Sequence, residues 1–485
     1  TLDFAATAGG DHLSKIDFHQ LGGGFNGHFW FAHSWRRPSP FRVTGTWRLN
    51  RPLHDTWARV FVHIPDHGSK TQQARYDIDL GDGRSAYRVI NAKSHWREQR
   101  HRWVSLGVFR FNGVPEISLS NLTPYGEGGH PGQAGASGVH NVAWDAVAIQ
   151  PLPRKPANFV VHLGDSFASG EGAVNDLSTG EDYDRESDMD GDNPVHQNKC
   201  HRSKWAWIRQ ATLPDEPGWM VRGRESTFDD GLDFHMLACS GARTFNLLPY
   251  GMTDVPGTPA RGQHGEVSQL ETGHLDANTT LVTLSIGGND ARWADVIEYC
   301  MYPRPEPDCQ DTVMPGDTVP LAQALPERIR TEVIPSIQRV VEQIHAKAPN
   351  AKIVLMGYPR LFSGNLCMTV PIPLPGVPPH LYPRLSNGEV AWLNQMADHL
   401  AEQTNALTER LRGRSEDPIG VWFGDPRDHF AGRALCSENP LIHWYVLTRT
   451  PGETPTGEEL SEGNIPLSAQ SFHPNIEGAL HYSYA

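Results

Sequence analysis

The chain has 485 residues, 38% of them hydrophobic, and a formal net charge of −14, which is long enough for more than one hydrophobic core. An acidic balance with no dense basic run speaks against nucleic acid as a partner, and no stretch approaches the ~18 apolar residues of a membrane span. The chain opens Thr1-Leu2-Asp3 without Met and without an apolar leader, as expected of a mature protein after signal removal.

Charge divides the chain in two. Residues 1–156 carry 18 Lys and Arg against 12 Asp and Glu, a net +6, whereas the remainder carries 24 against 44, a net −20. The first unit reads as β-rich: Ala58-Val60-Val62-Ile64 alternate with Arg59, Phe61 and His63, and Tyr76-Ile78-Leu80 alternate with Asp77 and Asp79. The same period of two runs through Val104-Leu106-Val108, Ile117-Leu119 and Val142-Trp144-Ala146, with turns such as Gly81-Asp82-Gly83 between, the pattern of a β-sandwich. Trp30, Trp35, Trp47 and Trp96 offer rings for a sugar-stacking platform, with core packing as the default. The stretches WVSLGVFRF and VAWDAVAI resemble the golvesin C-terminal or xanthan-lyase-associated module, which implies a carbohydrate-binding-like or accessory domain over residues 1–153. Its basic excess would suit an anionic polysaccharide or lipid surface. Pro151-Leu152-Pro153-Arg154-Lys155-Pro156 then reads as a short stiff linker.

From residue 157 strand and helix signals alternate, which predicts a parallel sheet covered on both faces, with reactive groups beyond the strands' carboxyl ends. Phe159-Val160-Val161-His162-Leu163 runs into Gly164-Asp165-Ser166-Phe167-Ala168-Ser169-Gly170. Alone, Gly-Asp-Ser is as much a turn as a nucleophile. The Gly-x-Ser-x-Gly elbow of α/β-hydrolases is not matched, since Ala168 stands at the second glycine. Further along, Glu181 to Asp192 holds seven acids with the alternation of a calcium loop, but Glu186 and Gln197 would fill its first and twelfth positions, so a solvated loop is the reading taken over a structural calcium site. Leu237-Ala238-Cys239-Ser240-Gly241 brings a backbone N–H to a strand end, and Leu281 to Ile286 leads into Gly287-Gly288-Asn289-Asp290, whose Asn289 amide can donate to an oxyanion, a contact typically worth roughly 2.7–4 kcal/mol.

Ile329, Val333, Ile337, Val340 and Ile344 keep helical spacing before the strand Ile353-Val354-Leu355-Met356. A second helix follows from Val390, Leu393, Ala397, Leu400, Leu407 and Leu411, ending near Gly413. Pro371 to Pro383 reads as a rigid loop, and the insertions 174–199 and 440–469 as lids or determinants of specificity. Close to the end, Ser471-Phe472-His473-Pro474-Asn475 supplies an imidazole for general-base work. Six cysteines, Cys200, Cys239, Cys300, Cys309, Cys367 and Cys436, lie in one part of the chain without any C-x-x-C pair. Three disulfides in an oxidising compartment are expected rather than a metal site.

Gly-Asp-Ser, Gly241, Gly-Gly-Asn-Asp and a late histidine, in that order, resemble the SGNH/GDSL hydrolase superfamily over residues 157–485, in particular secreted actinobacterial lipases and esterases. The resemblance implies an α/β/α domain whose nucleophile is Ser166, whose base is His473, and whose oxyanion hole joins the Ser166 and Gly241 N–H groups to the Asn289 side chain. It implies acyl transfer without a cofactor, secretion, and the pairs Cys200–Cys239, Cys300–Cys309 and Cys367–Cys436. The family acid three residues before the histidine is Gln470 here. A Ser-His dyad assisted by a Gln470 side-chain or backbone carbonyl is therefore expected, with Asp425 and Asp428 as remote alternatives. His201 reads as structural. Substrates considered are a lipid or simple acyl ester, then an O-acylated polysaccharide; a binding or adhesion protein with a vestigial site is the non-enzymatic alternative.

Overall fold

The computed structural model describes residues 2–9, 18–65, 67–95, 103–125, 140–184, 199–301, 307–364, 382–448, 450 and 468–485. In the first part, the alternating segments pair into antiparallel sheets. One has five strands in the order Leu2–Gly9, Arg42–Leu49, Glu116–Ser120, Ala74–Asp79 and Ser85–Ile90; two have three strands, built around His28–His33 and Leu53–His63. Val60, Val62, Ile78, Leu106, Ile117 and Trp144 meet in one core between them. Trp47 is buried in that core and Trp30 stacks on Phe4, whereas Trp96 lies outside the described residues.

The alternation within Leu53–His63 does not separate buried from exposed residues. Arg59, Phe61 and His63 are as hidden as Val60 and Val62, because much of the strand's other face meets the second part of the chain. Arg59 donates to the Asp229 and Leu232 carbonyls at 2.9 and 2.7 Å, and Phe61 meets the Phe228 ring edge-on at 4.8 Å. The proline-rich segment, expected as a short stiff linker, is likewise anchored. Pro151 ends a strand, and Leu152 packs with Val108 and Phe159.

The second part is a five-stranded parallel sheet formed by β1 (Asn158–Gly164), β2 (Leu232–Met236), β3 (Leu281–Ser285), β4 (Lys352–Met356) and β5 (Val421–Gly424), in the order β2-β1-β3-β4-β5. Its strands are apolar on both faces, as layers of helix on either side require: Val160 packs with Leu213, Val221 and Leu232, and Val161 and Leu163 with the larger core. The helices that position the site are α1 (Ser166–Ser169), α2 (Trp293–Met301), α3 (Ile334–Lys347), α4 (Asn387–Arg412) and α5 (Ile476–Tyr482). The fold is thus a three-layer α/β/α domain preceded by a β-sandwich. Capping accounts for where α4 starts: the Ser386 hydroxyl accepts from the Glu389 N–H, and the Glu389 carboxylate accepts from the Ser386 N–H, a device typically worth ~1 kcal/mol.

Candidate active site

The site is built on the turn after β1. Gly164 has φ of 121°, and a methyl group there would run into the Ser285 carbonyl, so only glycine fits. The Gln269 side chain clamps both the N–H and the carbonyl of Gly164 at 2.8 Å. Asp165 is buried and caps α1, accepting from the Phe167 N–H at 3.1 Å, the Ser285 hydroxyl at 2.7 Å and the Tyr358 hydroxyl. Burial pushes its carboxyl up to about 6 against the pull of those bonds. Tyr358 also accepts from the Gly288 N–H at 3.0 Å, so one tyrosine ties the serine turn to the Gly-Gly-Asn-Asp turn. Ser166, the first residue of α1, is thereby held in a fixed place.

His473 reaches Ser166 from the opposite end of the chain. Its Nε2 lies 2.7 Å from the Ser166 Oγ, and its Nδ1 lies 3.1 Å from the Ser471 carbonyl oxygen. A carbonyl only accepts, so Nδ1 carries the proton and Nε2 is free to take one from the serine. Phe472, with φ of 64°, supplies the sharp bend that brings the ring back over the Ser471 carbonyl. Burial lowers the basicity of His473, and the negative charge of Glu171 works against that effect. The imidazole is therefore neutral at neutral pH, as a base must be.

Gly241 follows β2 with φ of 76°. Asn289 donates to the Ala242 carbonyl at 2.9 Å, and Asp290 accepts from the Thr244 N–H and hydroxyl, so the two loops are bonded side by side. A cavity of about 310 Å³ is lined in common by Ser166, Gly241, Asn289 and His473. Phe167, Trp293, Ile297, Met301, Leu361 and Leu400 make much of the rest, so the space beside the serine is apolar.

Other expected residues are placed elsewhere. Gln470 is fully buried, but its amide turns away from the imidazole, donating to the Leu177 carbonyl at 2.9 Å and accepting from Tyr183 at 3.3 Å. The carbonyl beside the ring belongs to Ser471. Asp425 is bound by Arg427 and Asp428 is exposed on a short helical turn. Cys200–Cys239 and Cys300–Cys309 are bonded, and Cys436 is in a disulfide, while its expected partner Cys367 lies outside the described residues. Of the acidic stretch, residues 185–192 also lie outside them; Asp182 is engaged by Asn175, Trp205 and Lys204. Among the described residues no group of three or more His, Cys, Asp or Glu side chains could hold a metal ion, and no helix is long and apolar enough to cross a membrane. Glu171, which no sequence motif singles out, is buried and accepts from His201 at 2.7 Å and from Tyr183 at 3.2 Å. Its one signal was an acid inside the small-residue run Ala168-Ser169-Gly170-Glu171-Gly172.

A serine hydroxyl on a tight β–α turn, an imidazole from late in the chain and two loops bonded side by side, all at the carboxyl edge of a 2-1-3-4-5 parallel sheet, define the SGNH class of hydrolase. Residues 162–479 match the family model described as GDSL-like Lipase/Acylhydrolase family, and the chain belongs to that family. It is a carboxylic ester hydrolase. Lipase 1 of Streptomyces coelicolor is 29% identical over 326 residues, 66% of this chain and 88% of its own. A lipase of Streptomyces rimosus is 28% identical over 325 residues, 66% of this chain and 90% of its own. The crystal structure of an extracellular lipase from Streptomyces rimosus, 24% identical, covers 67% of this chain and 95% of its own with a TM-score of 0.38.

Proposed function

We propose that the protein cleaves lipid or simple acyl esters through an acyl-enzyme on Ser166, with His473 as base. The 2.7 Å contact between His473 Nε2 and Ser166 Oγ, at the wall of an apolar cavity, carries this reading. As Oγ attacks the ester carbonyl, its proton passes to Nε2. The imidazolium returns that proton to the departing alcohol, and water then repeats the sequence on the acyl-enzyme. The Ser471 carbonyl keeps the imidazole in the required tautomer throughout, so the dyad is carbonyl-assisted. The Ser166 and Gly241 N–H groups and the Asn289 amide, which belong to residues lining the same cavity, serve in this reading as the donors to the oxyanion.

The lining of Trp293, Ile297, Met301 and Leu400 supports an acyl chain rather than a sugar ring as the group held beside the serine. Disulfides support action outside the cell, and lipases are among the relatives. Residues 1–153 act as an accessory domain that buttresses the hydrolase at 157–485.

Turnover of 4-nitrophenyl esters of increasing chain length and of emulsified triacylglycerol, beside an acetylated polysaccharide, tests the proposal. Ser166→Ala should lower kcat by about 10³-fold or more on acyl esters. Absence of Ser166-dependent turnover at every chain length refutes the enzyme reading, and preference for the polysaccharide refutes the lipid one.

A further inference from the structure

Position 470 is Gln, and among the described residues His473 Nδ1 meets the Ser471 carbonyl and not a carboxylate, so the imidazolium formed during acyl transfer has no acid bonded to it. We propose that Glu171 supplies the negative charge, as a positioning residue that acts on His473 through space and not through a hydrogen bond. The inference rests on Ser166 and His473 being nucleophile and base.

Three observations lead there. Glu171 is completely buried five residues after Ser166, where a charge is poorly screened. Its neighbour Gly172 packs against the backbone end of the His473 side chain: a Cβ on Gly172 would lie 3.2 Å from the His473 Cβ and 3.0 Å from the His443 ring. The carboxylate is also held in position, by His201 Nδ1 at 2.7 Å and by the Tyr183 hydroxyl at 3.2 Å, and Tyr183 in turn receives the Gly172 N–H at 2.8 Å. The same Tyr183 hydroxyl contacts Gln470 at 3.3 Å. A neutral side chain at 470 thus anchors the tyrosine that steadies the acid. The titratable groups facing Glu171 are His201 and Tyr183 from the loops after α1 and His443 and His473 from the C-terminal segment, with His264 beyond His201. Glu171 opposes the loss of basicity that burial imposes on both His443 and His473.

When Ser166 gives its proton to Nε2, His473 gains a positive charge and Glu171 keeps its negative one. No bond to Glu171 forms or breaks. The pH dependence of kcat/KM reads this directly. In the wild type the acidic limb, where His473 protonates and the base is lost, should lie below the ordinary histidine value of 6.5. Glu171→Gln removes the anion, so the imidazolium forms less readily: the limb should move about one pH unit lower and the plateau kcat should fall about tenfold, with KM nearly unchanged.

Glu171→Asp keeps the charge but withdraws it by one methylene, and should move the limb in the same direction by a smaller step. Thermal unfolding of each variant identifies which are folded. An unmoved limb in a folded Glu171→Gln protein overturns the proposal even where activity drops, because a packing role changes rate and stability without changing the titration. Should the Gln variant not fold, an unmoved limb in folded Glu171→Asp overturns it equally. Failure of the dyad reading is distinct, since wild type and Ser166→Ala would then hydrolyse esters alike.

Discussion

Asn289 commits only part of its amide to holding the fold. One of its amide protons is spent on the Ala242 carbonyl, which fixes the Gly241 loop, and an amide has a second to offer. If that second proton meets the oxyanion, Asn289→Ala should cost roughly 10²–10³-fold in kcat while KM changes little, measured on a soluble short-chain ester. A loss confined to KM would place Asn289 in substrate binding instead. Ser166, Gly241, Asn289 and His473, which line one cavity, stand out in the chain because each sits in a short motif of small or turn-forming residues. The carbonyl that orients His473 does not, since every residue has a carbonyl and only the bend at Phe472 selects that of Ser471.

Among the elements, α2 and α4 shape the cavity beside Ser166. Trp293, Ile297 and Met301 come from one, Ala397 and Leu400 from the other. Ala397→Phe should fill part of the space and shift the chain-length optimum toward shorter esters. Each methylene no longer accommodated is worth ~0.8 kcal/mol, about fourfold in kcat/KM, and an unchanged profile would show that the acyl chain lies elsewhere. The helices themselves were visible as stripes, but their interruptions were not. Ile329, Val333, Ile337, Val340 and Ile344 are all fully buried as their spacing implies, yet the backbone widens into a π turn at Ile329–Val333 before α3. Pro335, which lacks an N–H and would crowd the Thr331 carbonyl in a regular helix, accounts for the wider turn.

For the molecule as a whole, the charge asymmetry has a structural counterpart. Arg59 and Arg88 of the basic first part are buried against the acidic second part, Arg88 reaching Asp276 at 3.4 Å. Asp233, at the same junction, accepts from the Val108 N–H at 3.0 Å. Burial alone would raise its carboxyl, but His235, Arg59 and that N–H outweigh it and hold the group at about 2. A carboxylate depressed from 3.8 to about 2 contributes stability at every pH above the unfolded value and loses it as pH falls toward the folded one. Asp233→Asn should therefore lower stability by about 2 kcal/mol at pH 7, and thermal unfolding should show the gap to wild type closing below about pH 3.

What the chain determined by itself was local or periodic: a β-sandwich pattern, a strand–helix alternation, and four motifs whose order alone assigned a superfamily. Those signals survive in one dimension because each arises from neighbouring residues or from a repeat of two or 3.6. Only tertiary structure decided that residues 58–63 were covered on both faces, that Leu152 anchored the proline-rich segment, and that Gln470 bonded elsewhere while Glu171 was buried beside Gly172, which packs on His473. Residues 171 and 473 are far apart in sequence, and a charge acts through distance in space, which no spacing along the chain records.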